Sequence, residues 1–369
     1  MARNRVIYQS EALFMNKDAS LLEGYKQLER VQSANYSYTI NRQDVNQFGQ
    51  LGKLDSIILD APTVSADASY YVTDGYTERV LGFWVSYDGD GEGTDVSFVS
   101  GHLADGSGRN MVIVTTPEGT DVDLPSRSAE TNDNSAIGIG NCYLSDYSVD
   151  LAVGAIPTVS VSFDALNINA DQSAADIQSP AVNVFNGEPI GDDIDSLPTP
   201  ITGEGSIAAL RPGDITVNIS EFDTVGASLV NIGTDAEGCH IQSASLSIPL
   251  SRSPLERLGT KTAYARSVDF PVVSTLSVSA IINETDTANL ADLLDSEVEK
   301  EVTLVLGTSD GGTGVKYTLK GCSFDSESIT SSIGANKSVD LSFSTSVGGP
   351  EDTEHGVFMS GVSIDRGNM

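Results

Sequence analysis

The sequence predicts an all-β protein with short helices, built as two tandem copies of one β-sandwich or barrel domain. Three observations carry this. Val, Ile, Ser, Thr and Gly recur in short alternating runs broken by turn residues, whereas helical periodicity is brief and rare. The chain also aligns with itself twice, in the same order: Val31–Ile40 falls without gaps on Ile241–Leu250, continuing through Arg42 on Arg252 to Gly49 on Gly259, and Cys142–Phe163 falls on Cys322–Phe343. Finally, 369 residues with 39% hydrophobic content can fill two ordinary cores.

Taken in order, the first strand is expected within Val6–Phe14. A second alternates Tyr36, Tyr38 and Ile40 on one face with Ser37 and Thr39 on the other. Asn41–Lys53, with Gly49, Gly52 and several amides, reads as a long hairpin connection, after which Ile57–Leu59 and Val64–Val72 resume strand character. The acidic loop Asp88–Gly93 and the polar stretch Pro125–Ser135 read as surface insertions. Gly154–Pro157 turns the chain into the alternating strand Val159–Phe163, and Gly334–Lys337 does the same before Val339–Phe343. Residues 170–205, rich in Asp, Pro, Gly and Ser, are expected as a linker or ordered arm. In the second copy, Asp214–Ile219 answers to Val6–Phe14, Ser251–Arg266 answers to the long hairpin, and Leu290, Leu293 and Leu294 place a short helix in Asp286–Ser296. The strand pair Val302–Leu306 and Val315–Leu319 follows. The expected division is 1–169 and 206–350 for the two domains, with 351–369 as a C-terminal extension.

Twenty Lys and Arg against 52 Asp and Glu give a formal charge of −32, which repels phosphate backbones and argues against tight nucleic-acid binding. Cys142, Cys239 and Cys322, odd in number and widely spaced, define no disulfide framework and no zinc site. Met1–Gln9 is too short in apolar residues for a secretory leader, so synthesis in a cytoplasm is expected, with no membrane partner. For catalysis there are three histidines: His102 and His355 read as surface residues in glycine-containing loops, and His240 beside Cys239 makes no metal site. Asp88, Asp90, Glu92 and Gly93 copy the start of a calcium loop, but its twelfth position is Val99, so a solvated hairpin tip is the reading. Tyr70, Tyr71, Phe83 and Trp84 read as core rather than as a sugar platform. No catalytic, cofactor or metal residue is assigned.

Over Val31–Asp74 and Asn141–Phe163 the chain resembles major tail tube proteins of tailed bacteriophages. The likeness rests on the alternating strand, the long loop, the Gly154–Pro157 hairpin and the tandem repeat. It implies a structural virion protein, located in the tail and assembled in the bacterial cytoplasm, whose two domains form trimeric, pseudo-hexameric rings that stack into an acidic conduit. Double-stranded DNA would pass through without specific binding. The other implied partners are tape measure, tail terminator and baseplate proteins, and a sheath protein where the tail contracts. The long hairpins would bridge rings, making Arg42, Gln43, Asp44, Val45, Asn46, Gln47 and Phe48, with Arg252, Leu255, Glu256, Arg257 and Leu258, the candidate inter-ring contacts. Two other readings stay open: another virion part such as a head-decoration, baseplate or fibre protein, and a duplicated β-sandwich that binds carbohydrate.

Overall fold

The computed structural model describes residues 11–58, 61–87, 96–103, 108–117, 122, 134–171, 177–194, 197–198, 210, 215–219, 230–231, 241–259, 262–281, 284–285, 299–307, 313–332 and 336–361. The first half holds β1 (Glu11–Met15), β2 (Lys26–Gln27), β3 (Val31–Thr39), β4 (Arg42–Val45), β5 (Asp55–Ile58), β6 (Thr63–Tyr71), α1 (Tyr76–Leu81), β7 (Ser86–Tyr87), α2 (Ser100–Leu103), β8 (Arg109–Thr115), β9 (Ser135–Ala152), β10 (Thr158–Ala165) and β11 (Asn167–Asp171). A small hairpin, β12 (Val182–Asn183) and β13 (Glu188–Pro189), follows. The second half holds β14 (Ile215–Ile219), β15 (Val230–Asn231), β16 (Ile241–Pro249), β17 (Arg252–Leu255), β18 (Ala265–Val268), β19 (Val272–Ile281), β20 (Glu284–Thr285), β21 (Lys300–Gly307), β22 (Thr313–Thr330), β23 (Ser338–Val347) and β24 (Gly356–Gly361). The protein is thus nearly all β, with short helices.

Eight strands lie side by side in the order β3-β6-β10-β9-β16-β19-β23-β22, every neighbour antiparallel. The alternation read from sequence is what divides this sheet into an apolar and a polar face. The two longest strands, β9 and β22, run 18 residues each and serve two sheets. Their C-terminal parts lie in the eight-strand sheet, while their N-terminal parts pair with β8 and β11, or with β21 and β24, in smaller sheets. Inward residues of the small sheets, such as Met15, Met111 and Leu304, join Ala66, Val161, Leu276 and Phe343 from the large one in a single buried cluster, giving sandwich packing.

The halves share several pairings, three register shifts included. Ser33↔Ser69 in β3–β6 corresponds to Ser243↔Ser279 in β16–β19, each next to a register shift. Phe163↔Leu144 corresponds to Phe343↔Phe324, again beside a shift, and Met111↔Ile139 corresponds to Val302↔Leu319. The pairing Met15↔Met111 corresponds to Ile219↔Val302, so β14 answers to Glu11–Met15 and the alignment expected with Val6–Phe14 is displaced along the chain. Asn41–Lys53 is also more than a connection: β4 inside it pairs with β5, from Arg42↔Ile58 to Val45↔Asp55, as β17 pairs with β18. Residues 351–369 likewise hold a strand, β24, which takes on β22 the place that β11 takes on β9.

Residues 177–194 form an arm against the first half. Ile177, Ala181, Val182 and Ile194 are buried, and Asn167 and Asn169 donate to the carbonyls of Pro180 and Gln178. A Cβ at Gly140 would collide with the Pro180 carbonyl, so the close approach of the arm requires glycine there. The expected helix in Asp286–Ser296, the Asp88–Gly93 loop, Cys239, His240 and most of Pro125–Ser135 lie outside the described residues.

Candidate assembly interface

The halves meet chiefly through a strand ladder in the large sheet. β16 adds to β9 from Ser243↔Ala152 to Pro249↔Asp146, and its inward residues Leu246, Ile248 and Leu250 are 1%, 0% and 0% exposed. On the first-half side Leu144, Tyr147, Val149 and Leu151 are equally buried. An aromatic plug completes the joint: Phe83 and Phe98 stack at 4.1 Å, Tyr147 and Tyr317 meet Phe98 edge-on, and the two tyrosine hydroxyls share a 2.8 Å hydrogen bond across the halves. Beside it β7 pairs in parallel with β24, and the Phe98 amide donates to the Val357 carbonyl at 2.8 Å.

The same two surfaces recur at the ends of the sheet, where no strand among the described residues covers them. β3 corresponds to β16, yet among the described residues it pairs only with β6; Tyr36 and Tyr38, with Ile40 just beyond the strand, are 42%, 58% and 37% exposed. The C-terminal part of β22 corresponds to that of β9, yet among the described residues it pairs only with β23, and Ile329, the counterpart of buried Val149, is 40% exposed. Sequence reading placed Tyr36, Tyr38 and Ile40 on the apolar face but did not mark them as a contact surface. The signal was available in the substitution of Tyr36 and Tyr38 for Leu246 and Ile248, larger and more amphipathic side chains at aligned positions.

The opposite face of the sheet is mostly polar, with Val273 and Tyr71 among its few apolar side chains. Ser33, Ser69, Ser160, Ser148, Ser247, Thr275 and Ser344 form one row across seven strands. Neighbouring rows bring Asp67, Asp146, Asp150, Asp164 and Asp340, and no lysine or arginine stands on these rows. Hydrogen bonds such as Ser245 to Asp150 at 2.7 Å and Asn35 to Asp67 at 2.8 Å hold the carboxylates in place. At the rim Arg266, from the β17–β18 hairpin, pairs with Asp164 at 3.5 Å.

The two hairpins that carry the candidate inter-ring residues differ. In β4–β5, Arg42, Gln43, Asn46 and Gln47 are exposed, Val45 is 38% exposed and Phe48 fully so, as is Leu51 beyond it. Asp44 is bound to Lys53 at 2.9 Å, and this hydrogen bond holds its carboxyl below the ordinary value. In β17–β18, Leu255, Glu256 and Leu258 are exposed, while Arg257 lies 5.4 Å over the Tyr264 ring and donates to the Phe185 carbonyl. Arg252 is buried at 8% exposure: it donates to the carbonyls of Leu144, Arg266 and His102, so it belongs to the joint between halves and not to an outer tip.

Two aromatic and histidine expectations are corrected. His102 lies in α2, packed edge-on against Phe83 at 4.7 Å and 1% exposed, so it is a core residue; burial, with Arg109 and Arg252 nearby, keeps its imidazole neutral. Trp84 is 46% exposed where core packing was expected, while Tyr70 and Phe83 are buried. His355 is partly exposed, 3.4 Å from Asp352. Glu78, fully buried on α1, accepts a 3.0 Å hydrogen bond from Tyr70, and burial raises its carboxyl to about 7. No protein-family model and no curated protein matches the chain.

Proposed function

We propose that this chain is a structural protein that adds to copies of itself head to tail, closing as trimeric rings that stack into the tube of a phage tail. The carrying observation is that the two open sheet edges are the two sides of a joint already made once inside the chain. Strand β3 is the counterpart of β16, and the end of β22 is the counterpart of the part of β9 that receives it. Carrying the internal register outward sets Tyr36 opposite Ile329 and Ser37 opposite Ser328 of the next chain. An exposed, apolar, unpaired strand is an aggregation hazard that closure of the sheet into a barrel removes. Joining unlike ends of one molecule is the heterologous geometry that yields rings or filaments.

The corresponding pairings support descent of the halves from one repeated domain, and six such units from three chains give the ring its pseudo-sixfold character. In such a barrel the Ser, Thr and Asp face lines the channel, where a wall without cations offers DNA phosphates no counterion-releasing contacts. The hairpins ending in Phe48 and Leu258 extend to the neighbouring ring. Tape measure, terminator and baseplate proteins, with a sheath in a contractile tail, are the further partners.

Negative-stain microscopy of the purified chain tests this: rings and tubes with an axial channel are expected, and neither should form with Tyr36→Asp or Ile329→Asp. A wild-type chain that stays monomeric at every concentration tried would overturn the reading.

A further inference from the structure

Building on the head-to-tail reading, we propose that Arg42 is the polar anchor of the joint between chains, its guanidinium donating to the backbone carbonyl of Phe324 in the next copy. Arg252 supplies the template. It opens β17 opposite Val268 just as Arg42 opens β4 opposite Ile58. At the joint between halves its Nε donates to the Leu144 carbonyl at 3.2 Å, while one terminal nitrogen reaches Arg266 within its own hairpin, also at 3.2 Å. Leu144 and Phe324 hold the same place, opposite Phe163 and Phe343 beside the same register shift. Ser56 holds the place of Arg266, so two of the three carbonyls that Arg252 engages have counterparts at the outer joint; the third is that of His102, at 2.9 Å.

What differs is the setting. Arg252 is buried, whereas Arg42 is exposed and its guanidinium has no hydrogen bond or ion pair among the described residues; the nearby carboxylate of Asp44 is engaged by Lys53. A guanidinium presents five N–H donors in a planar fork and is more weakly hydrated than an ammonium, which suits it to bridging two carbonyls at an interface. The outer joint lacks the ring of Tyr143, 5.5 Å from the Arg252 guanidinium, because Ser323 stands at that position. Arg42 therefore acts through its hydrogen bonds alone, in a chain whose −32 charge otherwise favours dispersal.

The test compares full-length wild type, Arg42→Ala, Arg42→Lys and Ile329→Asp by sedimentation over a concentration series, at low salt and at about 0.5 M, where screening shortens charge effects to about 4 Å. Arg42→Ala is expected to raise the concentration for half-assembly roughly tenfold to a hundredfold, by about as much at both salts, since hydrogen bonds made by a charged donor are of that size. Arg42→Lys should recover part of it through one carbonyl, and the melting temperature of the unassembled chain should not move. Wild-type assembly by Arg42→Ala, or a defect that disappears in salt, overturns the anchor; if Ile329→Asp still abolishes assembly, the head-to-tail reading survives that result. Normal assembly by Ile329→Asp, or none by wild type, overturns both.

Discussion

Glu78 is fully buried beneath the Tyr70 hydroxyl, and one of its carboxyl oxygens has no hydrogen-bond partner. Its folded-state pKa of about 7 lies above the ordinary 4.5, so the folded chain holds this proton more tightly than the unfolded one. The resulting stability is complete below about pH 4.5 and is lost as pH rises through about 7, a difference on the order of 3 kcal/mol. Glu78→Gln keeps an acceptor for Tyr70 without the charge. It should therefore melt several degrees above wild type at pH 8 and level with it near pH 4; equal melting at both pH values would mean that water reaches the carboxylate. At the same scale, Tyr38 and Glu327 take the places of the internally paired Ile248 and Tyr147, which moves the tyrosine to the other strand of the joint. A cross-chain hydrogen bond between them is expected, so Tyr38→Phe should weaken assembly severalfold without altering the fold, as read by light scattering and circular dichroism. Sequence reading failed for His102 because its glycine and polar neighbours signal a loop, and whether a loop is covered depends on strands far along the chain; it failed in the opposite sense for Trp84, whose place beside predicted strands signals core although the side chain is 46% exposed. Here α2 is covered by the second half, through Arg252 and the aromatic plug.

Among the elements, strands with one buried face were legible, since alternation records burial: β10 and β23 read in sequence as they fold. The β4–β5 ladder was not, because all four residues of β4 are exposed and no burial pattern marks them. This hairpin forms its own two-stranded sheet, apart from the large one, so the core does not depend on its tip. Replacing Val45–Leu54 by a two-residue turn should leave β-type circular dichroism and ring formation intact while abolishing stacking into long tubes, since Phe48 and Leu51 are fully exposed apolar side chains positioned for another molecule. Long tubes from the shortened chain would assign the stacking contact elsewhere. The arm at 177–194 shows the converse: composition alone leaves linker and ordered arm both open, and a few apolar residues with the glycines of β9 suffice to dock it.

On the scale of the whole molecule, the self-alignment gave the repeated pairing pattern, but the unfinished edges lay beyond it. Tyr36 and Leu246 occupy aligned apolar positions, and the tyrosine's amphipathic character is the one hint in sequence that it lacks the partner strand which buries Leu246. The net charge was equally ambiguous between simple solubility and a role in conduction. Asp67, Asp146, Asp150 and Asp340 stand on one face whose rows carry no lysine or arginine, which is where a role in conduction would need them, whereas solubility needs no particular face. In the proposed barrel that face is the channel wall. Changing these four aspartates to lysine would replace repulsion by phosphate contacts, each adding about 0.9 to the slope of log affinity against log salt. Phage carrying the four changes should eject DNA more slowly, and the delay should shrink as salt rises. The same reversal at Asp192 and Asp193, exposed on the arm, should leave ejection unchanged. If the quadruple variant assembles and ejects at the normal rate, the acidic face plays no part in conduction, and the charge is left with solubility as its explanation.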